Sequence, residues 1–268
     1  MLKQRILTAL ILIPIFVGLV LKLPSLSFCI LTGVIVLLCA WEWSFLMGVK
    51  RYPQVFLYPI VMLVALIASL WFFIPIVIKV AAIWWLFALG LVILYPKMSR
   101  TWGKGVVLRG IMGFLVLVPC WLAVNFIRNV ENGPYILLFL LILIWGADSA
   151  AYFAGRLWGR RQLAPAVSPK KTWQGLGGAL VSAIVITALI LWLIHTPLSQ
   201  WIKIMSVSLV TVLFSVVGDL FESMLKRKAG LKDSSHLLPG HGGILDRIDS
   251  LTAAAPIFLL GLEILQHF

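Results

Sequence analysis

The chain has 268 residues, of which 62% are hydrophobic and 12% charged, and it carries a net charge of +13. An average soluble domain is roughly one quarter charged, and a water-soluble fold of this composition would expose far too much apolar surface. That excludes a soluble globular domain. No basic patch is attached to a soluble recognition module, which excludes nucleic-acid binding. What remains is an all-α polytopic integral membrane protein, because lipid tolerates little unpaired backbone.

Apolar runs of about 18 residues or more, long enough to cross a bilayer as helices, recur from end to end. Lys3 and Arg5 precede the first, Ile6 to Leu21, which looks like a signal peptide. No small-residue cleavage site follows it, so it reads as an uncleaved helix over 6–22. Eight further spans follow, at about 26–47, 55–74, 77–95, 110–127, 135–155, 175–195, 203–222 and 250–267, making about nine in all. Pro53, Pro75, Pro96, Pro134 and Pro197 sit at or near the proposed ends, where a helix breaker does little harm. Trp71, Tyr95, Tyr135 and Trp201 suit an interfacial aromatic belt. Cys29, Cys39 and Cys120 fall inside apolar runs without a CxxC pair, so they read as packing residues and not as a disulfide or zinc framework.

The basic residues test the count. With the N-terminus cytoplasmic, the inner side collects five groups: Lys3 and Arg5; Lys50 and Arg51; Lys97, Arg100, Lys104 and Arg109; Arg156, Arg160, Arg161, Lys170 and Lys171; and Lys226, Arg227, Lys228, Lys232 and Arg247. The other side keeps Lys22, Lys79, Arg128 and Lys203. Such an imbalance predicts nine spans with the N-terminus inside and the C-terminus on the opposite side. Topology and attraction to anionic headgroups account for the first three groups.

They do not account for the acids. Of nine in the chain, Asp219, Glu222, Asp233, Asp246 and Asp249 lie in one short stretch with the last basic group. Asp219, Glu222 or Ser223, and Lys226 are three and four residues apart, which places them on one face of a helix end. Asp246 and Asp249 share a face at the start of the last helix, where Ser250 or Asp249 is a candidate cap. Several carboxylates aimed at one point suit a hard cation such as Mg2+. Gly242 and Gly243 allow close backbone approach to a ligand, a helix N-terminus attracts anions, and His241 is a candidate phosphate donor or proton relay. Surface salt bridges and caps explain any one of these residues, but not the whole set.

A second polar cluster falls on the same side. Asp148 lies inside the sixth span, where a charge costs about 2.5–3.5 kcal/mol on insertion scales, and Arg156, two turns on, is a candidate partner. Ser168, Lys170, Lys171 and Thr172 precede a helix start, an arrangement suited to phosphate; simple positive-inside charge is the plainer reading. Glu42 is a third buried acid, for which a structural hydrogen bond is as good a reading as a functional one. Asp148, Arg156 and Glu42 are therefore expected to give buried polar support. Gly175, Gly177 and Gly178 suit close helix packing better than nucleotide binding. No Walker A, GxGxxG or HExxH pattern is present.

The stretch 223–249, SMLKRKAGLKDSSHLLPGHGGILDRID, resembles the signature of the phosphatidate cytidylyltransferases, the CDP-diacylglycerol synthases. Every required position is filled: Ser223, Leu225, Lys226, Arg227, Lys232, Asp233, Ser235, Leu238, Pro239, His241, Gly242, Gly243, Ile244, Asp246, Arg247, Ile248 and Asp249. SPKKTWQG and ADSAAYFAGR also look like family features, so the likeness covers roughly the second half. It divides the chain into N-terminal transmembrane helices, 1–105, and a helical membrane catalytic region, 106–268.

The resemblance implies a reaction in phospholipid biosynthesis in which CTP and phosphatidic acid give CDP-diacylglycerol and pyrophosphate with Mg2+, a second cation being left open. It implies Asp219, Asp246 and Asp249 as metal ligands and, with Lys226 and His241, as the catalytic set. Ser223, Lys226, Arg227, Lys232, Asp233, His241, Gly242, Gly243 and Arg247 would bind CTP; Ser168, Lys170, Lys171 and Thr172 would bind the lipid phosphate. It also implies the bacterial inner membrane, an active site facing the cytoplasm, and lipid entering sideways from the bilayer; a homodimer is left open. The alternative is a transporter of an anionic substrate with a charged cytoplasmic gate. That predicts polar residues near the midplane and paired repeats, and no repeat is found.

Overall fold

The computed structural model describes residues 14–49, 51, 53–98, 105–235, 237 and 242–266. Helix α1 is described over 14–22. It is followed by α2 (Ser25–Met47), α3 (Gln54–Ser69), α4 (Ile74–Met98), α5 (Val106–Asn129) and α6 (Gly133–Trp158). A short hairpin comes next, β1 (Gln162–Ala164) and β2 (Ser168–Thr172), and then α7 (Trp173–Leu193), α8 (Leu198–Ala229) and α9 (Leu245–Gln266). The eight expected spans from residue 26 onward each correspond to a helix, and the protein is an all-α polytopic membrane protein. Seven helices, α2 and α4 to α9, are long and apolar enough to cross a bilayer. Helix α3 is not: its 16 residues reach about 24 Å at 1.5 Å per residue, short of a hydrocarbon core of about 30 Å. Most of the first expected span lies outside the described residues.

The proline punctuation works as expected at Pro53 and Pro197, which directly precede α3 and α8, and at Pro134 in the first turn of α6; Pro24 plays the same part before α2. Large apolar side chains such as Leu26, Trp71, Phe87, Val107 and Ile202 point outward and exposed, the arrangement a lipid solvent favours. Inside, Trp84 and Trp85 meet Phe221 edge-on, at 5.6 and 5.8 Å, and tie α4 to α8 in a core shared with Trp43 and Trp121. Near the other end, buried Arg128 donates to the carbonyls of Val20 and Leu23 and lies over the ring of Phe28, joining α5 to the end of α1.

Three departures from the expected spans shape the site. First, α8 has 32 residues, about 48 Å, and runs past the apolar segment into the charged stretch. It stops at Gly230, whose φ of +73° suits a residue without Cβ. There the Leu231 amide donates to the Lys226 carbonyl at 2.8 Å, the pattern of a Schellman end. Second, α9 starts at Leu245, five residues before the apolar run, so Asp246 and Asp249 lie within its first turns. Third, the segment before α7 is an antiparallel hairpin, with Gln162 opposite Thr172 and Ala164 opposite Ser168. The Thr172 hydroxyl then caps α7 by accepting the Gly175 amide at 3.1 Å.

Small residues set the close crossings. A Cβ at Gly175 would lie 2.9 Å from the Ala151 carbonyl, and one at Gly178 would lie 2.5 Å from Ala154 Cβ, so these two glycines let α6 and α7 touch. Gly177 faces open space and has no such role. Gly218 does the same for α8 and α9: a Cβ there would lie 2.5 Å from the Asp249 carbonyl oxygen and 3.1 Å from Ala253 Cβ.

Candidate active site

The extended end of α8, the first turns of α9, the hairpin and the facing surfaces of α6 and α7 enclose a cavity of about 480 Å³. Asp148 and Tyr152 of α6 line it, with Ser168, Lys170, Lys171 and Thr172 of β2. Asp219 and Lys226 come from α8, Asp233 from the turn after it, and Asp246, Arg247 and Asp249 from α9. Ala151, Leu176 and Val216 supply an apolar side. The two polar clusters of the sequence thus form one site.

Their link is direct. Lys171 Nζ lies 2.6 Å from Asp219 Oδ2, both side chains being about one-quarter exposed, and Ser223 donates to the other Asp219 oxygen at 3.3 Å. Deeper in, Lys226 is 8% exposed and bridges two carboxylates, at 2.6 Å from Asp246 Oδ1 and 3.0 Å from Glu222 Oε1. Glu222 meets Lys226 as a close, buried ion pair. Burying such a group is tolerable because an opposite charge is adjacent.

Asp246 has little capacity left. Its Oδ1 faces Lys226, and its Oδ2 accepts the Ser234 amide and hydroxyl, each at 3.0 Å, and the Gly243 amide at 2.8 Å. Asp246, expected as a metal ligand, lines the cavity and also braces the connection between α8 and α9. Asp249 is differently placed. Its Oδ1 accepts the Ser250 amide at 2.7 Å, it has no ion pair among the described residues, and it shares the cavity with Asp219. Neither Ser250 nor Asp249 caps α9. The amides at the start of that helix go to Glu42, which is fully buried and accepts from Ile244 at 2.9 Å and Leu245 at 2.6 Å.

The two glycines also serve the protein's own groups. Gly242 has φ +80° and a Cβ there would lie 2.8 Å from Asp246 Oδ2. A Cβ at Gly243 would overlap Ser234 Oγ and lie 2.5 Å from Glu42 Oε1. What approaches the backbone so closely is carboxylate and serine from the chain itself. Arg227 is turned aside, donating from Nε to the Val167 carbonyl at 3.3 Å. Lys232 sits on the exposed turn after α8. His241 lies outside the described residues.

Of the three residues expected as buried polar support, Glu42 alone is buried. Asp148 opens onto the cavity, and Arg156 is exposed and donates to the Tyr152 hydroxyl at 3.0 Å. Eight residues separate Asp148 from Arg156, about 12 Å along the helix, and this carries the guanidinium to the outward-facing end of α6.

Residues 3–265 match the sequence profile of the cytidylyltransferase family. The chain is 41% identical to a phosphatidate cytidylyltransferase of Pseudomonas aeruginosa over 262 residues, 96% of each chain. It is 37% identical to one of Haemophilus influenzae over 96% of this chain and 97% of that one. The chain belongs to the cytidylyltransferase family. The transporter alternative finds no support in these likenesses.

Two parts of this cytidylyltransferase site escaped the sequence reading. Glu222 was one of two alternatives on its helix face and was not placed among the site residues, although the i, i+4 spacing to Lys226 pointed to it. Ser234, which stands between Glu42 and Asp246, left no signal, since a serine in a polar turn reads as solvated. Among the described residues no three His, Cys, Asp or Glu side chains form a ready-made metal cage. The donors still fit Mg2+, which is usually held by one or two carboxylates together with substrate phosphates: Asp219 and Asp249 are hard oxygen donors in one cavity, with the Lys171 ammonium 2.6 Å from Asp219.

Proposed function

We propose that this protein transfers the cytidylyl group of CTP to phosphatidic acid, giving CDP-diacylglycerol and pyrophosphate. The observation that carries this reading is the meeting of the β2 lysines and the α8–α9 carboxylates in one cavity that also has an apolar side. The reaction brings two polyanions together, and such a site needs cations for each and little covalent chemistry of its own.

A phosphatidate oxygen attacks the α-phosphorus of CTP, the new P–O bond forms as the bond to the β-phosphate oxygen breaks, and pyrophosphate leaves. Lys170, Lys171 and Ser168 hold the lipid phosphate at the mouth of the hairpin. Arg247, at the exposed edge of α9, binds the triphosphate; Lys232, Arg227 and His241, from the same stretch of sequence, carry the charge and donors to assist it. Lys226 faces the cavity between two carboxylates and holds α8 to α9. Asp219 and Asp249 would hold Mg2+, which when bound would offset triphosphate charge and help the leaving group depart. Holding the two reactants in line is the main contribution of the protein.

Ala151, Leu176 and Val216 give the acyl chains a route from the bilayer, while CTP arrives from the cytoplasm. With the short α3 counted as a crossing that a locally thinned bilayer accommodates, the one-sided distribution of lysine and arginine supports an N-terminus inside, a C-terminus outside and a site on the cytoplasmic face of a bacterial inner membrane. The test is pyrophosphate release from CTP by detergent-purified protein. Release that requires phosphatidic acid, and that is lost in Asp219→Asn, is expected; well-folded protein that releases none with any phospholipid or divalent cation would overturn the reading.

A further inference from the structure

Glu42 belongs to α2, yet its partners lie 192 to 203 residues later. Its Oε1 accepts from Ser235 Oγ at 2.5 Å and the Ile244 amide at 2.9 Å; its Oε2 accepts from Ser234 Oγ at 3.1 Å and the Leu245 amide at 2.6 Å. One buried carboxylate therefore ties together both ends of the connection between α8 and α9. Ser234 Oγ is also 3.0 Å from Asp246 Oδ2, so a continuous polar chain runs from Glu42 through Ser234 and Asp246 to Lys226.

We propose that Glu42 is a positioning residue for the nucleotide: an anion built into the fold that fixes the α8–α9 connection so that Asp246, Lys226 and Arg247 face the triphosphate. At the entry to α9 the Ile244 and Leu245 amides, which would otherwise attract a phosphate, are occupied by Glu42. Phosphate recognition there falls chiefly to side chains. The lipid-phosphate residues Ser168, Lys170 and Lys171 sit on β2, which is fixed separately: the Gln162 side chain donates to the Pro169 carbonyl, and Thr172 caps α7. Loss of Glu42 should therefore be felt by one substrate and not by the other.

This rests on the cytidylyltransferase reading above, with the α8–α9 connection assigned to CTP. The experiment is steady-state kinetics of the full-length protein in mixed micelles, varying CTP and phosphatidic acid in turn. Glu42→Gln keeps the size of the side chain but turns an amide donor toward groups that are themselves donors. It should raise KM for CTP roughly tenfold or more, the factor that one lost charged hydrogen bond carries, with KM for phosphatidic acid little changed. Gly243→Ala leaves the carboxylate in place but crowds it, and should give the same selective rise even where a Glu42 variant fails to fold. Added acetate should lower KM for CTP in Glu42→Ala. A role confined to stability would instead reduce kcat in step with the folded fraction and leave both KM values unchanged; that result, or a rise for the lipid alone, would overturn the proposal. Wild-type protein inert toward CTP and phosphatidic acid would sink the functional reading itself, before any variant is compared.

Discussion

Lys171 Nζ and Asp219 Oδ2 stand 2.6 Å apart, joining a hairpin strand to the extended end of α8 across the cavity. Half-open ion pairs of this kind add at most about 1 kcal/mol to stability, so its importance lies in where it holds the two groups. Lys171→Met should leave thermal stability in detergent nearly unchanged while raising KM for phosphatidic acid about tenfold or more, as loss of a charge-assisted phosphate contact implies. An unchanged lipid KM would remove Lys171 from lipid recognition.

The buried triad behaves differently. Removing the ammonium in Lys226→Met strands Glu222 and Asp246 as uncompensated buried charges, a loss of about 3–5 kcal/mol in typical cases. The variant should aggregate or melt early in fluorescence-detected size exclusion. Adding Glu222→Gln to it should restore part of the stability, because one of the two stranded charges is then gone.

The carboxylates should separate by metal response. Asp219→Asn and Asp249→Asn are expected to raise the Mg2+ concentration needed for half-maximal activity. Asp246→Asn should leave that concentration unchanged and lower the melting temperature, since the Asp246 oxygens bind Lys226, Ser234 and Gly243. Titrations of pyrophosphate release against Mg2+, with EDTA-stripped protein as baseline, measure all three.

Two glycines one helix apart should give opposite outcomes. Gly218→Ala would drive a methyl into the Asp249 carbonyl and push α9 off α8, at a typical overpacking cost of about 1–3 kcal/mol and with loss of activity. Gly177→Ala meets open space and should be neutral or slightly stabilising, by up to about 1 kcal/mol. Paired melting curves decide the comparison.

Much of this fold could be read from the chain, because lipid makes helices the only economical response to long apolar runs. The eight expected spans from residue 26 onward each found a helix, α3 being too short to cross, and Asp219, Lys226, Asp246 and Asp249 met as their three- and four-residue spacings suggested. Helix ends were less legible. Hydropathy marks where a chain leaves lipid and not where its helix stops, so the apolar spans end seven residues before α8 does and begin five residues after α9 does, although the three- and four-residue spacings pointed to helix there. The hairpin at 162–172 lacks the alternation of a strand, with Pro169 in its second arm. Glu42 was recognised as buried, but its partners sit some two hundred residues away, and only folding could show that an acid in the second-last turn of a membrane helix is satisfied by a serine pair and two amides.

The mixed walls of the cavity place its two reactants on different scales of concentration. Through Arg247 and the lysines the site samples a solute in moles per litre. Through Ala151, Leu176 and Val216 it samples an amphiphile whose abundance is set per unit area of bilayer. Spreading a fixed amount of that lipid among inert neighbours would slow the second encounter without touching the first, so the composition of the surrounding membrane becomes a rate variable in its own right.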